Sequence, residues 1–362
     1  MKQTSNLHIE SMLPLEPPDA FVKRIPITDS VAELVYNSRE DIKKIISGQD
    51  SRMLMLVGPC SIHDEMAGLE YAGRLARLAD RVRDRVMIVM RVYFEKPRTT
   101  VGWKGFINDP HLNGSFDMAT GLARGRQFLL NVLGAGLPAA TEWLDPVTPQ
   151  YLADVISWGA VGARTVESQT HRELASGLSM PIGFKNGTGG TQHSIQIAVD
   201  AIVASRAPHT FLSVDGYGRV SIIKTTGNPD GHVILRGGVN GPNYGAEHVV
   251  NAVERMKKAG LQPSVVVDCS HGNSGKDHRN QPVVFRNVME QRLGGNMNIT
   301  GMMLESHLSE GSQKLGADPS QLKYGVSITD ACVGWETTED LMMEAYHSLK
   351  TQARQAAVPA RA

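Results

Sequence analysis

The sequence predicts an α/β fold: a (β/α)8 barrel with an N-terminal extension and an inserted β-hairpin between strands 5 and 6. Short apolar runs alternate with helical patterns eight times from residue 53 onward, the number that a closed barrel of parallel strands requires. Four of the runs end beside residues that can bind phosphate or metal ions, namely Cys60, Arg91, His271 and Glu305. Enzymes of this fold keep their chemistry on the rim formed by the carboxyl ends of the strands, so we expect an active site there.

The predicted strands are short apolar runs bounded by glycine, proline or polar residues. They cover residues 53–57, 86–91, 139–143, 160–164, 182–185, 233–236, 265–268 and 299–305. Helical patterns occupy intervals between them, at residues 65–79, 117–133, 149–157, 191–205, 246–259 and 283–292. The sequence therefore assigns residues 46–350 to the catalytic barrel.

Two segments lie outside this barrel. Residues 1–45 form an arm, in which four prolines between residues 13 and 26 argue against regular helix, while residues 30–47 predict a helix with Ser30 as its N-cap. We expect the arm to pack on the barrel or on a neighbouring subunit, with an interface or regulatory role. Residues 351–362 are predicted to be a frayed tail.

The alternation of predicted strands and helices is interrupted at residues 209–225. Two β patterns at residues 210–214 and 219–224 flank a glycine-rich turn, which predicts a β-hairpin between the fifth and sixth strands. A barrel needs only a helix at this point. The hairpin either serves regulation or assembly, or it is a surface decoration.

Composition excludes several classes of protein. Lys plus Arg and Asp plus Glu both total 37, so the formal net charge is zero, which argues against a nucleic-acid binder. No run approaches the ~18 apolar residues of a membrane span, and residues 1–10 lack the apolar stretch of a secretion signal. Three cysteines, an odd and sparse count, fit a reducing cytoplasm, which is where we expect the protein.

Basic residues gather where predicted strands end. Like charges repel, so such a group of cations indicates a site that binds anions. Arginine supplies a planar fork for phosphate or carboxylate, and lysine a movable point charge. We therefore expect at least two anionic groups in the ligand. The cations are Arg91, Arg164, Lys185 and Arg236 at strand ends, with Lys96 and Arg98 in the loop after the second strand.

A set of possible metal ligands falls on the same rim. Cys60 follows the first strand, His271 follows the seventh, Glu305 ends the eighth, and Asp330 lies beyond it. The first, seventh and eighth strands of a closed barrel are neighbours. A thiolate, an imidazole and two carboxylates suit Mn²⁺, Fe²⁺, Co²⁺ or Zn²⁺. The alternative is that Cys60 is a small buried core residue.

Glu142 ends the third strand on this rim. Its carboxylate either accepts a hydrogen bond from a neighbouring cation or takes part in proton transfer, and the sequence leaves the two roles open.

Five motifs together resemble the type I (alpha) 3-deoxy-D-arabino-heptulosonate 7-phosphate (DAHP) synthases. The resemblance runs from about residue 35 to residue 340 and includes the inserted hairpin. No single motif would be specific, but the set is. The motifs are GPCSIHD at residues 58–64, KPRTT at 96–100, GART at 162–165, GFKNGT at 183–188 and DCSHGNS at 268–274.

The resemblance implies an enzyme that condenses phosphoenolpyruvate with D-erythrose 4-phosphate and releases phosphate, the first step of the shikimate pathway. It implies one divalent metal ion held by Cys60, His271, Glu305 and Asp330, of which His271 and Asp330 also lie against substrate. The phosphoenolpyruvate site would consist of Arg91, Lys96, Arg164, Lys185 and Arg236. The erythrose 4-phosphate loop would consist of Lys96, Pro97, Arg98 and Thr99. Lys96 is the natural candidate for a proton donor because it could reach both substrates.

The resemblance also implies feedback inhibition by an aromatic amino acid and assembly as a homodimer or homotetramer. The effector pocket would be formed by Pro146, Gln150, Ser179, Phe211, Ser213 and Ile223. Ser213 favours phenylalanine, whereas Pro146 is more typical of tyrosine-sensitive relatives, and tryptophan stays open.

Three other functions are compatible with parts of the pattern. A 3-deoxy-D-manno-octulosonate 8-phosphate synthase shares barrel and donor but differs in the KPRTT loop. A catalytically silent paralogue would act as an aromatic amino-acid sensor or partner protein. An unrelated phosphosugar aldolase would use Lys185 as a Schiff base without a metal.

Overall fold

Eight parallel strands close into a barrel, which confirms the predicted fold class. The fold is that of a computed structural model that describes residues 2–356. The barrel strands are β1 (Met53–Gly58), β2 (Val86–Arg91), β3 (Ala139–Glu142), β4 (Trp158–Val161), β5 (Ile182–Lys185), β8 (Gly231–Leu235), β9 (Val265–Asp268) and β10 (Ile299–Glu305), and β6 (Thr210–Val214) and β7 (Val220–Lys224) form a separate hairpin.

Helices surround the barrel and precede it. They are α1 (Pro18–Arg24), α2 (Asp29–Ile46), α3 (Glu65–Val82), α4 (Met118–Gly134), α5 (Pro149–Leu152), α6 (Gln169–Gly177), α7 (Gln192–Arg206), α8 (Ala246–Lys258), α9 (Gln281–Leu293) and α10 (Trp335–Ala356). Single 3₁₀ turns occur at Ala153–Val155, His278–Asn280 and Pro319–Gln321. Within residues 2–356, none of these helices combines the length and apolar character needed to cross a membrane.

Barrel closure fixes which strand ends meet. The order around the barrel is β1-β10-β9-β8-β5-β4-β3-β2, so the first strand pairs with the last. In that pairing Leu54 lies opposite Gly301, and Gly58 lies opposite Glu305. The segment after Gly58 therefore begins beside Glu305, on the rim where the sequence predicts the site.

The barrel strands are buried on both faces, which explains their continuous apolar runs. One face packs against the surrounding helices. The other fills the barrel interior, where Leu54, Leu56 and Trp158 belong to one apolar cluster. Ile42 and Ile45 from α2 belong to that same cluster, so this helix of the arm packs against the barrel interior.

Several predicted boundaries are wrong. The proline-rich stretch contains the helix α1, because Pro18 occupies its first turn, where a missing N–H costs nothing. Thr28, not Ser30, caps α2 by accepting a hydrogen bond from the Val31 N–H at 3.3 Å. Strand β4 begins two residues before the predicted start and ends at Val161, so Arg164 follows the strand instead of ending it.

Other differences concern helices. The predicted helix at residues 149–157 is only the single turn α5 followed by a 3₁₀ turn, while α6 and α10 had no counterpart in the prediction. Residues 351–356, predicted to fray, continue α10. The remainder of that predicted tail, residues 357–362, lies outside the described residues.

The hairpin β6–β7 is antiparallel, as its pattern predicts, and its turn is ordered by Asp215. The Asp215 carboxylate accepts hydrogen bonds from the N–H groups of Tyr217 and Arg219 at 2.9 and 3.0 Å. The arm contacts this turn directly, because the Asp19 N–H donates to the Gly216 carbonyl at 2.8 Å.

Candidate active site at the barrel rim

A cleft of about 1470 Å³ opens at the carboxyl ends of the barrel strands. The predicted cations and most of the predicted metal ligands line it, together with Glu142 from the end of β3. We call this space the cleft. The predicted residues in its lining are Arg91, Lys96, Pro97, Arg98, Thr99, Glu142, Arg164, Lys185, Arg236, His271, Glu305 and Asp330.

Three of the four predicted metal ligands converge in space. One ligand atom each from Cys60, Glu305 and Asp330 lies within 4.8 Å of the others. The pairing of Gly58 with Glu305 brings the first two together, since Cys60 is only two residues beyond the end of β1. Asp330 comes from the segment between β10 and α10.

His271 lies at the edge of this group, outside the set of three. Its Nε2 atom is 3.7 Å from Glu305 Oε1, and its Nδ1 atom is 2.9 Å from Oδ2 of the buried Asp268. A carboxylate on one ring nitrogen is the usual device for orienting a metal-binding histidine, because it leaves the other nitrogen free for the ion. Sequence analysis assigned no role to Asp268.

The chemistry of the donor set fits a divalent transition metal ion. Burial raises the pKa of the Cys60 thiol to about 11, and the charge of Glu305 adds to the effect. A thiol so placed beside two carboxylates stays protonated unless a cation compensates the thiolate. Lys96 already supplies one positive charge, because its Nζ atom donates to Cys60 Sγ at 3.1 Å and to the Cys60 carbonyl at 2.8 Å.

Two of the cations are buried and held by carboxylates. Arg91 Nη2 lies 3.1 Å from Glu305 Oε1, and Lys185 Nζ lies 2.8 Å from Glu142 Oε2. Burial alone would raise the pKa of Glu142, but the Lys185 ammonium outweighs it and lowers this pKa to about 2. Sequence analysis left two roles open for Glu142. The structure shows the first of them, in which its carboxylate accepts a hydrogen bond from a neighbouring cation.

The remaining cations are nearer to solvent. Arg98 and Arg164 are exposed, Arg236 is half-buried, and the Arg164 guanidinium donates to the Pro97 carbonyl at 3.2 Å. The cleft therefore combines buried cations at its floor with more exposed cations at its mouth, an arrangement suited to ligands with more than one anionic group.

The loop that carries Lys96 is tied down on both sides. The Lys96 N–H donates to the Lys104 carbonyl at 2.8 Å, which closes the loop at its base. The buried Glu95 carboxylate accepts hydrogen bonds from the Asp145 N–H at 3.3 Å and from Thr148 Oγ1 at 3.1 Å. Burial, reinforced by the charge of Asp145, raises the pKa of Glu95 to about 8.

A network of buried asparagines joins the loops that follow β5, β8 and β9. Asn186 Oδ1 accepts hydrogen bonds from the Arg236 N–H at 2.8 Å and from Asn243 Nδ2 at 3.1 Å. Asn243 Oδ1 accepts from the Gly237 N–H at 2.7 Å, and its own N–H donates to Asn273 Oδ1 at 2.7 Å. Sequence reasoning missed this network, since isolated asparagines in loops carry no signal of mutual contact.

Glycine is required where two of these loops cross. A Cβ atom on Gly190 would lie 2.5 Å from the backbone nitrogen of Gly238, and the φ angle of Gly190 is +72°. The loop after β5 can thus approach the loop after β8 only because both positions lack a side chain.

The predicted effector residues fall on three segments. Phe211 and Ser213 are on β6, and the first of them lies opposite Ile223 of β7. The arm contacts both α5 and the hairpin. Tyr151 Oη in α5 donates to the Glu16 carbonyl at 2.8 Å, and Asp19 contacts the hairpin turn. Of the other predicted residues, Pro146 and Gln150 lie at or beside α5, and Ser179 lies between α6 and β5.

The fold and the cleft define a class: a (β/α)8-barrel enzyme built for substrates with several anionic groups, with a candidate metal centre at the rim. Residues 25–343 match the sequence profile of the DAHP synthetase I family. The chain belongs to this family, and the resemblance stated from its motifs is confirmed.

Named relatives agree with this assignment. A Tyr-sensitive phospho-2-dehydro-3-deoxyheptonate aldolase of Escherichia coli K12 is 51% identical over 348 residues, covering 96% of this chain and 97% of the relative. The Phe-sensitive enzyme of the same organism is 52% identical over 350 residues, covering 97% and 99%. A solved structure of the aldolase from Francisella tularensis SCHU S4 superposes with a TM-score of 0.92 at 47% identity, covering 95% of this chain and 99% of that one.

Proposed function

We propose that this protein condenses phosphoenolpyruvate, D-erythrose 4-phosphate and water into DAHP and inorganic phosphate. The observation that carries the proposal is family membership together with one cleft that is lined by the whole cation set and by three of the four candidate metal ligands. A carboxylate and two phosphates enter the cleft with the two substrates, and six lysine and arginine side chains offset their charge.

The buried cations are suited to hold the donor substrate. Arg91 and Lys185 are fixed by Glu305 and Glu142, so they bind an anion without first losing side-chain freedom. Arg164 and Arg236 approach from the loops after β4 and β8. Held between these groups, phosphoenolpyruvate presents its C3 carbon to the aldehyde of the second substrate.

The acceptor substrate occupies the mouth of the cleft in this proposal. Pro97, Arg98 and Thr99 lie on the exposed part of the loop between β2 and α4, where they can reach a second phosphate. Lys96 lies between the two regions. Burial opposes its charge, but the charges of Cys60 and Glu305 outweigh burial and raise the pKa of Lys96, so this side chain keeps its positive charge and can bind an anionic group. Its place between the two substrates is what makes it the candidate proton donor.

The reaction is proposed to depend on one divalent metal ion, Mn²⁺, Fe²⁺, Co²⁺ or Zn²⁺, held by Cys60, His271, Glu305 and Asp330. When bound, such an ion would polarise a carbonyl oxygen or lower the pKa of a water molecule. Two groups beside Nδ1 would keep the His271 ring oriented for that ion: Ser270 Oγ, hydrogen-bonded at 2.7 Å, and the Asp268 carboxylate, 2.9 Å away.

The geometry disfavours the Schiff-base alternative. A lysine that forms a Schiff base needs a neutral amine, which burial would favour. Burial does oppose the charge of Lys185, but Glu142 outweighs it and raises the pKa of this lysine. Lys185 is thus suited to bind an anion.

Regulation and assembly complete the proposal. The relatives are named Tyr-sensitive and Phe-sensitive, and we propose that an aromatic amino acid inhibits this enzyme through the six predicted effector residues. We also propose a homodimer or homotetramer in the cytoplasm. Leu212, Val220 and Ile222 leave an apolar face of the hairpin exposed, which a second subunit could cover.

The decisive experiment measures turnover of purified protein with phosphoenolpyruvate and either erythrose 4-phosphate or arabinose 5-phosphate. We expect DAHP and phosphate with the first acceptor only, loss of turnover with EDTA, and recovery with Mn²⁺. Borohydride should trap no adduct. Metal-replete protein that binds an aromatic amino acid but turns over neither acceptor would instead support a silent sensor. Titration with phenylalanine, tyrosine and tryptophan identifies the effector.

A further inference from the structure

Tyr93 occupies an unusual position at the floor of the cleft. Its side chain is 1% exposed, yet it is part of the cleft lining. Three of the cations surround its ring: the Arg91 guanidinium carbon lies 4.0 Å from the ring centroid, Lys185 Nζ 5.5 Å and Lys96 Nζ 5.8 Å. An aromatic face attracts cations, so the ring helps to hold together three like charges that otherwise repel.

The hydroxyl of Tyr93 is the second unusual feature of this residue. Among the described residues it has no hydrogen-bond partner, although buried tyrosine hydroxyls usually find one. Phenylalanine would provide the same ring without an unpaired polar atom. Burial raises the pKa of Tyr93, so the hydroxyl keeps its proton and can act as a donor.

We infer that Tyr93 contacts the donor substrate: its hydroxyl donates a hydrogen bond to an anionic oxygen bound between Arg91 and Lys185. This inference rests on the proposed function, because phosphoenolpyruvate supplies that anion. This contact would give a partner to the Tyr93 hydroxyl, which has none at the floor of the cleft among residues 2–356. Tyr93 is thus a substrate-binding residue as well as the ring on which three cations pack.

A second buried tyrosine provides a matched control. Tyr71 is also fully buried, but its hydroxyl donates to Ser306 Oγ at 2.9 Å. Removal of that hydroxyl breaks a bond within the protein. Removal of the Tyr93 hydroxyl breaks none among the described residues, so the Tyr93→Phe variant should fold and melt at the wild-type temperature or above it.

The test measures phosphoenolpyruvate binding to Mn²⁺-loaded protein by calorimetry, together with steady-state kinetics and thermal melting. For Tyr93→Phe we expect the dissociation constant for phosphoenolpyruvate to rise about tenfold to a hundredfold, the loss of one hydrogen bond to a charged group. The KM for erythrose 4-phosphate should change less than about twofold, since only donor binding is weakened. Tyr71→Phe should show the opposite pattern, with a lower melting temperature and unchanged affinity.

Two results would overturn the inference. One is unchanged phosphoenolpyruvate affinity in Tyr93→Phe. The other is a lower melting temperature in that variant, which would show that the hydroxyl is bonded within the folded protein. Failure of the wild-type protein to bind or turn over phosphoenolpyruvate would refute the proposed function itself, and this is distinguishable because it appears before any variant is made.

Discussion

Asn243 offers the sharpest test of how the cleft is held in shape. Its side chain accepts from the Gly237 N–H and donates to Asn186 Oδ1, and both groups are buried. The substitution Asn243→Ala leaves the Gly237 N–H without its partner, whereas Asn186 Oδ1 loses one of its two hydrogen bonds and keeps the one from the Arg236 N–H. A buried group left unpaired costs about 1–3 kcal/mol, so we expect this variant to lose about that much folding stability.

The effect on function follows from what Asn186 holds. Its Oδ1 atom also accepts the N–H of Arg236, and loss of Asn243 loosens that contact. We expect kcat/KM for phosphoenolpyruvate to fall about tenfold or more, which corresponds to ~1.4 kcal/mol of transition-state stabilisation. This fall should come mainly from a higher KM for phosphoenolpyruvate, because Arg236 is proposed to bind the anionic groups of this substrate.

Asn228 is the matched control. It is buried to a similar extent, and its Nδ2 atom donates to the carbonyls of Ala175, Leu178 and Met180 at 3.0–3.3 Å. It precedes β8, at the end of the barrel opposite the cleft. Asn228→Ala should lose at least as much stability in urea unfolding while keeping its KM values.

The comparison of these two variants separates a structural role from a functional one. If both lose stability and both keep kcat/KM within about twofold, the asparagine network only supports the fold and the reasoning is wrong. Kinetics must be measured at a temperature where each variant is folded, as judged by circular dichroism.

Three further predictions test the site. Cys60→Ser should weaken metal affinity at least about tenfold and abolish turnover, as measured by bound metal and by activity. The control is Cys269→Ser: this cysteine is also buried but is not a proposed ligand, so the variant should keep its metal. Glu142→Gln leaves Lys185 buried without its partner and should cost about 3–5 kcal/mol in denaturant unfolding; an unchanged midpoint would contradict the ion pair. The pKa of Glu95, raised by burial to about 8 from an ordinary 4.5, means that the folded state binds the extra proton, so stability falls as pH rises from about 4.5 to 8. The melting temperature of Glu95→Gln should therefore exceed that of the wild type by a margin that grows over this range, and a constant margin would refute the assignment.

The sequence was most informative about the strands. A strand buried on both faces must be apolar throughout, so the runs that end at Arg91, Lys185 and Glu305 could be identified without a structure. Boundaries were less certain where small residues continue beyond a strand. Gly162 and Ala163 extend the apolar run after β4, which explains why that strand was predicted to end at Arg164.

Helices were predicted where an amphipathic pattern is long. The segment at residues 149–157 misled because apolar residues can bury themselves in a single turn followed by a 3₁₀ turn as well as in a continuous helix. Pro18 was misleading in the opposite direction, since proline is harmful inside a helix but harmless in its first turn.

The order of residues along the chain determined the barrel and the list of candidate residues, because residue type and strand ends are local properties. Contacts between distant loops are not local. That Lys185 joins Arg91 at one tyrosine ring depends on β2 and β5 lying in the same closed barrel. That Cys60 approaches Glu305 depends on the register in which the last strand closes against the first. Only the tertiary structure fixes this register, because it is set by packing over the whole barrel and by no single segment.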